Sequence, residues 1–190
     1  MGTVVVVNNL TLDGVTQEPG RPDEDARGGF DQGGWATPYA DAVLGEAMGR
    51  DMARTEALLL GRRTYEDLYG FWPHQDDPFA EVLTSTPKYV ASRTLTDPLP
   101  WQNSVLLRGD VARAVTELRS STRGALVVLG SGELVRFLAR HDLVDEYVVL
   151  IHPLLLGRGR RLFEDGPGRE LSLAGTTVTT TGVIIATYRR

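Results

Sequence analysis

The stretch ALLLGRRTYEDLY, residues 57–69, constrains the fold of this chain more than any other. Ala57 to Leu60 form an apolar run too short for a helix and suited to a strand buried on both faces. Gly61 ends that strand. Thr64, an N-cap residue type, is predicted to open a helix whose first turn holds Glu66 and Asp67, where the helix dipole favours negative charge. Arg62 and Arg63 do not fit, because two cations before a helix N-terminus meet the positive end of the dipole unless an anion sits there too. A strand, a glycine, a basic pair and a helix start together make a seat for a phosphate. The alternative is that both arginines are solvated or paired with surface carboxylates, and this stretch leaves the two open.

A second unit of the same kind lies late in the chain. Ala125 to Leu129 are a strand-like apolar run, followed by Gly130, Ser131 and Gly132 and then a helix carrying Leu134, Val135, Phe137 and Leu138. Small residues at such a turn let the backbone approach a diphosphate. The pattern is not GxGxxG and has no acidic partner, so a Rossmann fingerprint is not supported, and the GxSxG frame of a nucleophile elbow is absent.

The rest of the chain surrounds these units. Thr3 to Val7 read as a central strand that emerges at Asn8 and Asn9 and turns at Asp13-Gly14. Gln17 to Gly34, rich in Gly, Pro, Asp and Arg, is expected to be a long mobile loop. Thr37 as N-cap, with Pro38 at the first position, is expected to open a helix reaching about Ala53. Asp41, Glu46 and Asp51 cannot all share one face of it, and most are expected in solvent. Phe71 and Trp72, in a Pro-broken loop, either stack on a planar ligand or plug the end of the core. His74, Asp76 and Asp77 read as surface rather than as a metal site. Lys88 to Ala91 is a strand ending in Ser92, Arg93 and Thr94, a set suited to phosphate. Further strands are expected at Ser104 to Leu107 and Asp145 to Ile151, and a helix at Val111 to Leu118. His152 closes the second of those strands, and Arg158, Arg160 and Arg161 follow. Leu171 to Thr180 and Val183 to Tyr188 are predicted to form an antiparallel hairpin around Thr181-Gly182.

Composition narrows the chemistry. The chain has 190 residues, enough for one sizeable domain, and neither a repeat nor a linker divides it. It has no cysteine, which removes disulfides, thiolate catalysis and Cys-ligated metals. A net charge of -5 argues against a general nucleic-acid or acidic-membrane surface. No apolar run approaches the roughly 20 residues needed to cross a bilayer. The first residues, MGTVVVVNN, lack a basic leader, so the expected compartment is the cytoplasm.

LLLGRRTYE, the WP loop, KYVASRTL, VLGSGELVRFL and DEYVVLIHPLLLGRGRRLF, in that order, resemble the dihydrofolate-reductase-like family over nearly the whole length. Within that family the likeness is to the RibD C-terminal-domain group, which includes the pyrimidine reductase of riboflavin synthesis. The resemblance implies an α/β fold, an eight-stranded mixed sheet, mostly parallel with an antiparallel C-terminal hairpin and helices on both faces. It also implies NADPH as cofactor and a homodimer. Residue by residue, Gly61, Arg62, Arg63 and Thr64 match the segment under the cofactor phosphates, with Arg62 nearest the 2′-phosphate. Ser92 and Arg93 match the adenosine-end loop, and Gly130, Ser131, Gly132 and Glu133 the turn at the diphosphate. The nicotinamide would lie near Asn9 and the Leu12–Gly14 loop. The chain lacks the cysteines and the length of the zinc deaminase found in bifunctional riboflavin enzymes.

The expected activity is hydride transfer from NADPH to a small heterocycle, pteridine- or ribosylaminopyrimidine-like, or to a carbonyl compound. Asp13, Glu46 and His152 are the candidate proton donors, and Phe71 and Trp72 the candidate substrate contacts. No metal is expected. The alternative is a non-catalytic NADP(H)- or nucleotide-binding module of the same fold.

Overall fold

Strands buried on both faces need unbroken apolar runs, and a computed structural model of the chain, describing residues 1–163 and 168–190, places these runs in one sheet. Its eight strands are β1 (Thr3–Thr11), β2 (Thr55–Gly61), β3 (Lys88–Ala91), β4 (Ser104–Leu107), β5 (Ala125–Leu129), β6 (Glu146–His152), β7 (Ser172–Val178) and β8 (Ile184–Arg189). The order is β4-β3-β2-β5-β1-β6-β8-β7. Among the described residues five α-helices join them: α1 (Ala42–Ala53), α2 (Arg62–Phe71), α3 (Pro78–Ser85), α4 (Val111–Ser121) and α5 (Gly132–Arg140). Among the described residues no helix is long and apolar enough to cross a membrane.

The chain divides into two compact units, with β1 contributing to both. The first comprises Met1–Val5 and Arg54–Val144. In it β2 pairs in parallel with β3 on one side and β5 on the other, and β3 pairs in parallel with β4. Leu58, Leu59 and Leu60 are buried between Val90 and the β5 residues Leu126 and Val128. Helix α2 turns Tyr65 inward, where its hydroxyl accepts the Trp101 backbone N–H at 3.0 Å. Helix α5 buries Leu134, Val135 and Leu138, while Phe137 is only half-buried and packs on His141.

Three local expectations need correction here. Helix α2 begins at Arg62 with Gly61 as its cap, so Thr64 lies inside the first turn rather than opening it. No acidic residue falls in that turn, and Arg62 and Arg63 are part of the helix rather than before it. Helix α3 is an addition to the expected elements, built on Asp77, which accepts the Phe79 N–H as a cap, and on Pro78 at the first helical position.

The second unit comprises Val6–Ala53 and Asp145–Arg190. Here β8 runs antiparallel to both β6 and β7, and a tight turn from Thr179 to Val183 joins β7 to β8. Gln17 to Gly34 is a packed strap rather than an open loop. Its Phe30 is buried with Val15 and Trp35, against Leu154 and Leu156. Gln17 ties it down, since its amide donates to the Arg27 carbonyl and its carbonyl accepts the Trp35 indole N–H. A Cβ on Gly159, at φ +115°, would lie 2.7 Å from Val15 and 2.9 Å from Phe30, so the strap closes on bare backbone there. Thr37–Tyr39 form a single 3₁₀ turn, and α1 starts only at Ala42 because Asp41, not Thr37, accepts from a first-turn amide, that of Leu44 at 2.8 Å. Asp41 is not merely solvated: it also accepts the N–H and hydroxyl of Thr180.

Candidate functional site

In the first unit, two strand ends meet through one hydroxyl. Strand β2 passes into α2 at Gly61, and β5 into α5 through Gly130 and Ser131, both left-handed at φ 59° and 57°. The Ser131 Oγ accepts the Gly61 N–H at 2.8 Å and donates to the Thr64 Oγ1 at 2.8 Å. Glycine at 61 suits this approach, since a Cβ there would stand 3.2 Å from the Ser131 Oγ and press on the hydroxyl. Neither α2 nor α5 has a side-chain cap, whereas Asp77 caps α3 and Asp110 caps α4. First-turn amides without a capping side chain, on two neighbouring helix starts, are the donors an anion needs. Gly132 and Glu133 lie in the first turn of α5, Glu133 exposed.

Charge is arranged around these turns. The parallel register pairs Gly61 with Ala91, so the residues after each strand end, Arg62-Arg63 and Ser92-Arg93, emerge side by side. Arg62 is half-exposed and forms an ion pair with Glu66 at 2.9 Å, the surface alternative open at the outset. Arg63 and Arg93 are exposed, and among the described residues neither has an ion-pair partner. Ser92 is occupied in its own turn, accepting from the amides of Thr94 and Leu95. Phe71 and Trp72 pack edge to face at 5.2 Å, and Trp72 packs likewise on Phe79, so much of each ring faces another ring.

In the second unit, the ends of β1 and β6 meet at Asn9 and His152. The His152 ring is fully buried, its Nε2 2.9 Å from the Asn9 Oδ1, with Trp35 and Tyr39 edge-on at 5.2 and 5.4 Å. Burial pushes its imidazole down to about 4, so it is neutral at physiological pH. Asp13 turns toward the segment after β6. Its carboxylate accepts the Thr11 hydroxyl and the amides of Leu156 and Gly157, and these donors, the hydroxyl first, hold it below the usual carboxylate range. Glu46 is exposed on α1. Trp35 and Tyr39 are neighbours of this histidine that the sequence pattern does not reveal. A large aromatic amid Gly and Pro marks an anchor point, but not what it anchors.

The family model of the RibD C-terminal domain matches residues 2–185. The chain belongs to the RibD C-terminal domain family. The uncharacterized protein YyaP of Bacillus subtilis is 29% identical over 140 residues, 70% of this chain and 73% of its own. Among solved structures, a putative riboflavin biosynthesis protein from Shewanella sp. PV-4 is similar at TM-score 0.73 and 22% identity, over 99% of this chain and 98% of that one. The dihydrofolate reductase of Enterococcus faecalis, complexed with NADP(H), is similar at TM-score 0.64 and 13% identity, over 99% and 96%. Acinetobacter baumannii RibD is similar at TM-score 0.67 and 13% identity over all of this chain, which spans 58% of that protein. The RibD C-terminal domain fold therefore has the dihydrofolate-reductase-like architecture that the sequence motifs imply.

Proposed function

We propose that this RibD C-terminal domain protein is an NADPH-dependent reductase of a small heterocyclic or carbonyl substrate. The observation that carries the reading is the Ser131 hydroxyl joining the Gly61 and Gly130 turns, which sets two uncapped helix starts beside each other. Such a pair suits a diphosphate. Arg63 and Arg93, beside them and without ion-pair partners among the described residues, suit a further phosphoryl group, as does Arg62 once released from Glu66. Bound reduced nicotinamide would supply the hydride. The chain's own residues orient it, with Asn9 and the Leu12–Gly14 loop assigned to the nicotinamide end and Phe71 and Trp72 to the substrate. Pteridine- and ribosylaminopyrimidine-like compounds are the substrate classes to which the family resemblance points.

Titrations of NADPH and NADH against Arg62→Ala, Arg63→Ala and Arg93→Ala test this. Loss of a guanidinium from the 2′-phosphate is expected to weaken NADPH about tenfold or more and NADH hardly at all. Equal losses for both dinucleotides would remove that arginine from the role.

A non-catalytic NADP(H)-binding module is the second reading, favoured by the state of the three candidate acids. Asp13 is held ionised, His152 is neutral and enclosed, and Glu46 is exposed on α1. A general acid must reach the acceptor atom directly or through one water. Tight NADPH binding without turnover of dihydrofolate, ribosylaminopyrimidine or simple carbonyl compounds would select the module. A homodimer belongs to the same proposal and is supported by the outer strand β7, all but one of whose residues are exposed. Sedimentation analysis checks it.

A further inference from the structure

We infer that His152 is a positioning residue whose task is to fix the Asn9 carboxamide as a hydrogen-bond donor toward a carbonyl oxygen of the bound ligand. Resting on the reading that a reduced dinucleotide binds here, that oxygen is the nicotinamide carboxamide oxygen. The His152 Nδ1 is buried and has no hydrogen-bond partner, while Nε2 lies 2.9 Å from the Asn9 Oδ1. A neutral imidazole has one proton, and it belongs on the nitrogen that has an acceptor. Placed on Nδ1, it would leave a buried N–H with no acceptor. Nε2–H therefore donates to Oδ1, and the two donors of the Asn9 Nδ2 are turned away from the ring. Asn9 is half-buried, and among the described residues its side chain has no other hydrogen bond. Its Nδ2 N–H groups are therefore unengaged and turned away from the ring.

The packing around the buried ring holds it in this orientation. Trp35 and Tyr39 stand edge-on to it, the Trp35 indole is pinned to the Gln17 carbonyl, and the Tyr39 carbonyl accepts the Thr181 hydroxyl. The strap holds the histidine, and the histidine holds the amide. An amide able to rotate would offer oxygen or nitrogen equally. A fixed one presents its N–H side and favours a ligand group that brings a lone pair, which is a device for specificity.

Two measurements test this. Nitrogen-15 NMR of the wild-type protein at neutral pH should show the His152 proton on Nε2 and a bare Nδ1; a proton on Nδ1 overturns the inference. Fluorescence titrations then use NADPH, its thionicotinamide analogue, in which sulfur replaces the carboxamide oxygen, and adenosine 2′,5′-bisphosphate, which lacks the nicotinamide. Wild type should prefer NADPH over the thio analogue by about tenfold, the worth of one good hydrogen bond. Asn9→Asp and His152→Leu should abolish that preference, His152→Gln, whose amide can donate to Oδ1, should restore it, and all should bind the bisphosphate alike. If the bisphosphate binds and the preference survives in Asn9→Asp and His152→Leu, the inference fails while the cofactor reading stands. If wild type binds neither NADPH nor the bisphosphate, both fail.

Discussion

His152 ties local burial to a pH-dependent stability. The unfolded chain takes up a proton on this ring near pH 6.5, and the folded chain only near 4. Between those values the unfolded state binds more protons, so stability falls as pH drops through that window and is unaffected by this group above it. At pH 4.5 the expected penalty is about 2.5 kcal/mol, because each tenfold difference in proton affinity between the two states is worth about 1.4. Urea unfolding at pH 7 and pH 4.5 checks this: wild type should lose that much more than His152→Gln. Ser131 matters through its hydroxyl, because it serves Gly61 and Thr64 at once from a left-handed backbone. Ser131→Ala leaves the Gly61 N–H without its acceptor and is expected to cost about 1–2 kcal/mol. Ser131→Gly should cost about 1 kcal/mol less than that, because glycine relieves the φ of 57°. Denaturant midpoints of the pair separate the hydroxyl from the strain.

At the scale of elements, helix α3 shows how a short helix is held at both ends. Asp77 caps its start, and the buried Lys88 ammonium donates to the carbonyls of Leu83, Thr84 and Thr86 at its end, 4.4 Å above the Trp101 ring. Burial pushes Lys88 down to about 8, still protonated at neutral pH. Lys88→Met would leave those carbonyls without their donor and is expected to destabilise the fold by about 2–4 kcal/mol, read from thermal or urea unfolding. The start of α3 is legible in Asp77-Pro78, but the lysine that closes it is not, because a lysine a few residues past a helix end is ordinarily solvated and only burial against Trp101 turns its ammonium onto those carbonyls. The start of α2 is misleading for a related reason. Thr64 has the residue type of a cap, yet its hydroxyl is taken by Ser131, 67 residues away. Gly and Pro content makes the strap look mobile in sequence. Phe30 and Trp35 packing on Val15 hold it instead.

At the scale of the whole molecule, the proposal predicts where a ligand tightens the chain. NADPH at a hundred times its dissociation constant should stabilise the folded state by about 2.7 kcal/mol, and adenosine 2′,5′-bisphosphate should act in the same direction. Hydrogen exchange should slow at residues 61–64 and 131–133 with either compound, and at Asn9 with NADPH alone. Slowing at only one of the two turns would separate what Ser131 joins. The apolar runs of the strands, the glycines that end them, the helix faces and the C-terminal hairpin were all determined by the sequence itself, because period and residue type act over a few neighbours. Only the tertiary structure decided that Ser131 bridges Gly61 and Thr64, that Asn9 meets His152 across 143 positions, and that Asp13 serves the Leu156–Gly157 backbone instead of standing free. Such meetings depend on how segments far apart in the chain pack together, which residue type and period over a few neighbours do not specify.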